Sequence, residues 1–389
     1  MQAPRAVARP KPLGASAASA NLTKSTADAA PLMPNRRAEM SGLTHSAPRR
    51  DNAGHGCRMD LLVRPAPATD FYKGTQGSGI RPMQGLLQYM VYVAVRVFIC
   101  VVQALQMETC QKVAAGLATL FSSVLCVREK TLDDNLRHAF PQMSDAERRQ
   151  LTWRMWEHLF LLVVEIAHAP RKIHETNWRE YLQFVGDASP RLTGLLLSDR
   201  PVIIVSAHFG NFEMAGYLLG ILGFPTYTVA RTLDNPRIDA FLNRFRSRTG
   251  QHMIPKKGGY EQIVETLARG LPMTFLADQY AGSKGCWVDF FGRPASAHKA
   301  IALFALNHDA PLVVGYGERA GRPLHYRMGL EASADPRSGD DCVKSVPRLT
   351  QWYTSHLESV IRRAPEQYWW LHRRWKDNRP AKRRGKLAA

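Results

Sequence analysis

The stretch Val202-Ile-Ile-Val-Ser-Ala-His-Phe-Gly-Asn-Phe-Glu213 decides the fold. Its first residues are apolar and mostly β-branched without alternation, as in a strand buried on both faces. Gly210-Asn211 supply turn chemistry, and Phe212-Glu213 open a segment of helical spacing. A buried strand, a tight turn and a helix in succession form the building unit of α/β sheets.

The same alternation runs outward on the C-terminal side. Pro201–Ser206, Thr226–Ala230, Pro272–Ala277 and Pro311–Gly317 are predicted strands. Glu213–Leu222, Asn235–Thr249, Gly259–Arg269 and His298–Asn307 are predicted helices. The expected fold is therefore α/β, with a mixed, mostly parallel sheet covered by helices. Ser144-Asp-Ala-Glu147 has the pattern of a capping box ahead of an apolar-periodic helix. A last helix is predicted over Val346–Arg363, stopped by Pro365.

Three predicted strands end in polar residues: His208, Arg231, and Asp278-Gln279. In α/β sheets the ligand crevice lies beyond the carboxyl ends of the strands, so these ends are expected to converge. Glu213, five positions after His208 and in the first helical turn, is expected to reach back to one imidazole nitrogen. A carboxylate that fixes the tautomer leaves the other nitrogen free to act as a general base. A lone histidine on an apolar stretch is more often structural; the strand–His–x4–Glu–helix setting favours the base. No serine or cysteine nucleophile motif accompanies it, so the hydroxyl it would activate belongs to the substrate. Gly210 is expected to let the substrate approach closely, and the helix N-terminus offers free N–H groups to an oxyanion or phosphate. Arg231 and Arg248 suit a phosphate; an ordinary solvated face is the other reading for Arg244 and Arg246. Asp278 would hold an arginine or sugar hydroxyls, or simply cap a helix.

The chain has 389 residues and a formal net charge of +19, which favours anionic partners. Much of this charge lies in the tails, with eleven Lys or Arg before residue 80 and ten from Arg362 onward. No helix-turn-helix, zinc or RNA-recognition signature is present, so nucleic acid is not expected as a partner. The six cysteines have no metal-type spacing, and neither a metal nor a cofactor is expected. Residues 1–80, rich in Ala, Pro, Ser and Arg, read as a disordered basic tail. Residues 84–127 read as membrane-anchoring or interfacial helices, because 84–107 is mostly apolar over about the ~20 residues a bilayer demands. Arg96 sits inside that run, and a buried core helix fits the same composition. Residues 128–378 form the expected catalytic domain, and 379–389 a basic C-terminal tail.

Several segments together resemble the lipid A biosynthesis (lauroyl/myristoyl) acyltransferase family, within the glycerolipid/lysophospholipid acyltransferase superfamily. His208-x4-Glu213 resembles its His-x4-Asp/Glu signature. Arg231-Thr-Leu-Asp-Asn-Pro-Arg-Ile-Asp239, Phe275-Leu-Ala-Asp-Gln279 and Val288-Asp-Phe-Phe-Gly292 resemble three further segments. Asn135-Leu-Arg-His-Ala-Phe-Pro141 and Pro365-Glu-Gln-Tyr-Trp-Trp-Leu-His-Arg-Arg-Trp-Lys376 resemble its N- and C-terminal boxes. The resemblance spans roughly 84–378. Thr232 stands where the family has Pro, and residues 281–287 are individual to this chain. What the resemblance implies is a glycerol-3-phosphate-acyltransferase-like fold and transfer of an acyl chain from acyl-acyl carrier protein to a lipid A precursor hydroxyl. It further implies a bacterial inner-membrane enzyme with its catalytic domain on the cytoplasmic face. Its partners would be the acyl-carrier donor, a phosphorylated glycolipid acceptor and membrane lipid. His208 and Glu213 would be catalytic; Arg231, Asp278, Gln279, Arg248, Asn211 and Gly210 would bind substrate. A related acyltransferase acting on another glycolipid or a lysophospholipid fits the same motifs. The C-terminal box would pack on the sheet and also meet the membrane.

Overall fold

The computed structural model describes residues 82–376. The basic tails expected over 1–80 and 379–389 lie outside the described residues.

Helix α1 (Pro82–Ala104) leads into α2 (Met107–Thr119), which ends in a π-helical turn over Leu120–Val124. Cys110, Ala114 and Ala118 recur every fourth residue on α2 and are buried. Their small side chains let α2 pack closely against the long helix α4 (Asp145–Lys172). Between them lies α3 (Glu129–Ala139). The α4 capping box is present: Ser144 accepts from the Glu147 amide, and the Glu147 carboxylate accepts from the Ser144 amide.

Among the described residues nine strands follow: β1 (Leu182–Phe184), β2 (Ile203–Ser206), β3 (Thr226–Ala230), β4 (Gln251–Pro255), β5 (Met273–Leu276), β6 (Cys286–Phe290), β7 (Arg293–Ala297), β8 (Leu312–Arg319) and β9 (Tyr326–Ala334). Seven form one sheet in the order β1-β9-β8-β2-β5-β3-β4, and β6-β7 form a separate hairpin. All neighbours in the large sheet are parallel except β8 and β9. The expected mixed, mostly parallel sheet covered by helices is found, and it is larger than the four strands read from sequence. Helices α5 (Ala188–Leu196), α6 (Phe212–Ile221), α7 (Pro236–Ser247), α8 (Tyr260–Ala268), α9 (Lys299–Asn307) and α10 (Val346–Arg363) are the remaining α-helices among the described residues.

β2 shows why its run is apolar throughout. Ile203 and Val205 enter the core cluster shared with α9 and α10, while Val202 and Ile204 enter the cluster on the α6 side. Both faces are thus removed from water, at about 25 cal/mol per Å² of apolar surface buried.

α1 keeps one stripe against the domain: Gly85, Gln88, Tyr92, Val95, Ile99 and Val102, spaced three and four residues apart. The Gln88 carbonyl accepts from Asn235 Nδ2 at 2.8 Å, the Arg237 guanidinium lies over the Tyr89 ring, and that of Arg96 lies over Phe241 of α7. Gln103 donates to the Ala167 carbonyl of α4 at 2.7 Å. The remaining faces of α1, with Leu86, Leu87, Met90, Val97, Phe98 and Val101, are exposed.

The C-terminal segment after α10 turns inward. Tyr368, Trp370, Leu371, Arg374 and Trp375 are buried. Asn135 of α3 donates to the carbonyls of Trp370 and His372 at 2.7 and 2.9 Å, tying the two boxes together. The box thus packs on the sheet as expected, and the burial of Arg374 goes beyond that expectation.

Candidate active site

Register brings the first two strand ends together. β2 and β5 are adjacent and pair Ser206 with Leu276, so His208 and Asp278 each stand two residues past the same rung. His208 Nδ1 donates to Asp278 Oδ1 at 2.8 Å. Asp278 is only 4% exposed. This bond fixes the imidazole with its proton on Nδ1 and its lone pair on Nε2. Gln279 Nε2 approaches that lone pair at 3.3 Å as a donor. Phe212 and Trp369 meet the ring edge-on at 5.0 and 6.0 Å between centroids.

The charges support the same arrangement. Burial works against a charged His208, but the Asp278 carboxylate, with Glu213 behind it, outweighs burial and raises its pKa above 6.5. Burial would push Asp278 up, but the facing imidazole overrides it and leaves the carboxyl below its usual value. His298 and His372 nearby are driven down to about 4, by burial first and then by neighbouring cations that include Arg374, so both are neutral. His372 Nε2 accepts from the Tyr280 amide at 2.9 Å.

Glu213 does not take the imidazole. Its carboxylate is held by Arg246 of α7, with Nε donating to Oε2 at 2.9 Å and Nη2 to Oε1 at 2.5 Å. The expected His208–Glu213 hydrogen bond is therefore replaced by His208–Asp278. A side chain in the first turn of α6 meets the neighbouring helix, whereas the end of the adjacent strand lies directly beside the histidine.

The other expected residues divide. Gln279 is at the site. Asn211 is wholly buried and faces inward: its Oδ1 accepts from the Met214 amide as the α6 cap, and its Nδ2 donates to Glu165. Gly210 has φ +58°, and a Cβ there would meet the Gly317 carbonyl of β8 at 1.8 Å. Its smallness serves the approach of β8, not of a substrate. Arg231 points outward, 76% exposed at its side chain and paired with Asp234. Arg248, just past α7, is also exposed. Among the described residues, neither arginine has a hydrogen bond to His208 or Asp278.

Sequence reasoning gave Asp278 and Arg246 other roles and missed Tyr368. Asp278 was read as a substrate ligand, although its place at the end of a strand like that of His208 was the available signal. Arg246 was left open as a solvated residue. Tyr368, wholly buried, lies against Asp278, and burial first, then that carboxylate, drives its phenol pKa far up. The individual segment 281–287 forms part of an open cavity of about 440 Å³, where Ser283, Lys284, Gly285 and Cys286 face Lys299, Val346 and Pro347.

A neutral histidine with one nitrogen on a buried carboxylate and a lone pair on the other, which here meets only the long contact from Gln279, can take a proton from a hydroxyl that displaces that contact. Comparison with known proteins gives this chemistry its context. The family model of the bacterial lipid A biosynthesis acyltransferases matches residues 81–377. The chain is 26% identical over 274 residues to a lipid A biosynthesis lauroyltransferase of Escherichia coli (strain K12), covering 68% of this chain and 84% of that protein. It is 27% identical over 255 residues to a lipid A biosynthesis palmitoleoyltransferase of the same organism, covering 64% and 79%. A phosphatidylinositol mannoside acyltransferase of Mycolicibacterium smegmatis is 25% identical over 207 residues, covering 50% and 64%.

Proposed function

The chain belongs to the bacterial lipid A biosynthesis acyltransferase family, and from that premise we propose that this acyltransferase moves a fatty acyl chain from acyl-acyl carrier protein to a hydroxyl of a lipid A precursor, with His208 as the general base. The observation that carries the proposal is the 2.8 Å bond from His208 Nδ1 to the buried Asp278.

The steps follow from that bond. Nε2 removes the proton of the acceptor hydroxyl where Gln279 now approaches. The oxygen attacks the thioester carbonyl and forms the new ester bond. The C–S bond breaks, and the imidazolium returns the proton to the departing thiolate. Asp278 stabilises the imidazolium in between. Glu213 adds a second negative charge near the ring and keeps Arg246 in place. The basic surface suits an acidic carrier protein and anionic lipid. Lys284 and Lys299 at the 440 Å³ cavity suit the phosphate that links carrier to acyl chain, and the exposed Arg231 suits a phosphate on the acceptor.

Helix α1 supports membrane association, and the proposed place is the cytoplasmic face of the bacterial inner membrane, where an acyl-carrier donor would be at hand. It touches the domain from Gln88 to Gln103 and exposes an apolar face along the same length. A helix so fastened on one side suits the membrane interface, and its mostly apolar stretch of 21 residues from Gln84 to Ala104 is also long enough to cross a bilayer.

The test is purified full-length protein with acyl-acyl carrier protein and a phosphorylated lipid A precursor, followed by lipid mass spectrometry. His208→Ala is expected to abolish acyl transfer. Unchanged turnover would remove His208 from the mechanism. Transfer to a different lipid class alone would move the acceptor.

A further inference from the structure

Behind the His208 turn lies a buried polar chain that takes no part in the proton transfer itself. Helix α4 presents His158 and Glu165, seven residues and two helical turns apart, on one face. Glu165 is 0% exposed. Its carboxylate accepts from Arg319 Nε at 2.6 Å and Nη2 at 2.8 Å, from Asn211 Nδ2 at 2.8 Å, and from the Leu324 amide at 3.0 Å. Arg319, the last residue of β8, donates through Nη1 to His158 Nδ1 at 2.7 Å. His158 Nε2 donates to the Gly210 carbonyl at 3.1 Å. Burial, and then the Arg319 charge, hold His158 neutral, as this donor–acceptor pattern requires.

The C-terminal segment closes the other side. Gln367 brackets Arg319, accepting from its amide at 2.8 Å and donating to its carbonyl at 3.1 Å. The Gln367 carbonyl accepts from the Gly210 amide at 2.9 Å, and the Trp369 amide donates to the His208 carbonyl at 3.0 Å. The polar groups of the turn from His208 to Asn211 that these bonds reach are thereby fixed to α4 or to the C-terminal box, and Arg319 of β8 braces both.

We infer that Glu165, Arg319 and His158 are positioning residues for acyl transfer, which hold the Gly210–Asn211 turn so that His208 Nδ1 stays on Asp278. The inference rests on the general-base reading above. A turn free to shift lengthens the His208–Asp278 bond, and catalysis is sensitive to such misplacement even from a distance. The buried Glu165–Arg319 pair is a poor place to test this, because removing one partner leaves an uncompensated buried charge. His158 is the better position. His158→Gln keeps a donor about where Nε2 stood, toward Gly210. His158→Asn keeps a group about where Nδ1 stood, toward Arg319, but falls short of Gly210. Both fill the same polar space.

The experiment compares the two variants in the full-length protein by three measures: kcat and KM with acyl-acyl carrier protein and a phosphorylated lipid A precursor, the pH profile of kcat/KM, and the His208 imidazole titration by NMR. The groups facing His208 are Asp278 just past β5, Glu213 from α6 and His372 from the C-terminal box; Arg319 faces His158. His158→Asn is expected to lower kcat about tenfold, the scale of one lost hydrogen bond, with KM changed less than about threefold. Its His208 titration and the acidic limb of the profile are expected to move down, toward the value of a free histidine. His158→Gln is expected to recover most of the loss. Equal kcat per folded molecule in the two variants, or an unmoved His208 titration in His158→Asn, overturns the inference. His208→Ala, run alongside, separates the cases: its inactivity with fully active His158 variants rejects positioning alone, and its activity rejects the base and the positioning together.

Discussion

His208 Nδ1 lies 2.8 Å from Asp278 Oδ1, although 70 positions separate them in sequence. The carboxylate that is close in sequence, Glu213, is engaged instead by Arg246. The two acids should therefore respond differently to neutralisation. Asp278→Asn is expected to lower kcat by about 10⁴, the effect of losing the tautomer-fixing carboxylate in a comparable triad. Glu213→Gln strands the partly buried Arg246, and is expected to lower the thermal midpoint while kcat per folded molecule falls less than about tenfold. Steady-state rates and melting curves of the two variants check this; equal kcat losses would return Glu213 to the imidazole's side.

The raised pKa of His208 sets the pH dependence of activity. A base must be neutral to accept a proton, so kcat/KM is expected to rise with pH through a midpoint above 6.5. The Asp278 charge sustains that midpoint, so Asp278→Asn should lower it in whatever activity remains. A wild-type midpoint below 6.5, read from kcat/KM between pH 5 and 9, would contradict the arrangement.

Stability follows a different sign. His298 and His372 have folded pKa values near 4 against an ordinary 6.5, so the unfolded chain binds their protons first as pH falls. Their neutral burial therefore costs stability progressively from about pH 6.5 down to about 4. His208, with its raised pKa, acts oppositely: its contribution is full below 6.5 and is lost as pH rises through the folded value. Asp278 contributes above its ordinary value of 3.8 and loses that contribution as pH falls through its lower folded value. The thermal midpoint is expected to fall between pH 7 and 4.5, and His298→Gln or His372→Gln should flatten that fall. A slope unchanged from wild type in both variants would assign the acid sensitivity elsewhere.

Gly210 offers a sharper test of the turn. Its φ of +58° disfavours other residues, and a Cβ would collide with the Gly317 carbonyl, which is backbone and cannot swing aside. Gly210→Ala is expected to cost stability on the order of 2–4 kcal/mol, more than strain at one φ alone, and to lower kcat through His208. Gly292→Ala shares a positive φ but meets nothing within 4 Å, and should cost only about 1 kcal/mol. Urea unfolding of both variants checks the difference.

Much of this was legible in the sequence, for reasons that particular residues make plain. β2 was readable because both its faces are buried, which leaves an unbroken apolar run. Residues that end separate strands at the same edge could be foreseen as neighbours, and His208 and Asp278 are. Which carboxylate takes the imidazole was not readable, because that depends on β2 and β5 being adjacent and in register. β4 at the sheet edge, Gln251-His-Met-Ile-Pro255, carries too little apolar character to declare itself. β9 escaped notice because Gly329 and Glu331 interrupt its pattern. The inward turn of Arg374 was hidden by composition, since a basic and aromatic box reads equally as surface; its Nη1 donates to the buried Ser296 carbonyl at 2.6 Å.

The two faces of α1 give the last prediction. Phe98 is 50% exposed on the apolar face, and Val102 is 6% exposed on the stripe that meets α4. An aspartate at either place introduces the same charge into the same helix. Phe98→Asp keeps the packing of α1 on α4 and α7, so the thermal midpoint in detergent should stay within about 2 °C of wild type, as for a surface substitution. It puts a carboxylate where the bilayer interface would lie, and co-sedimentation with anionic phospholipid vesicles should drop severalfold. Val102→Asp buries an unpaired charge against Val164 and Ala167 and should lower the midpoint strongly. If α1 instead packs against protein on its exposed face, Phe98→Asp will lower the midpoint as Val102→Asp does, and vesicle binding will follow stability rather than the face carrying the charge.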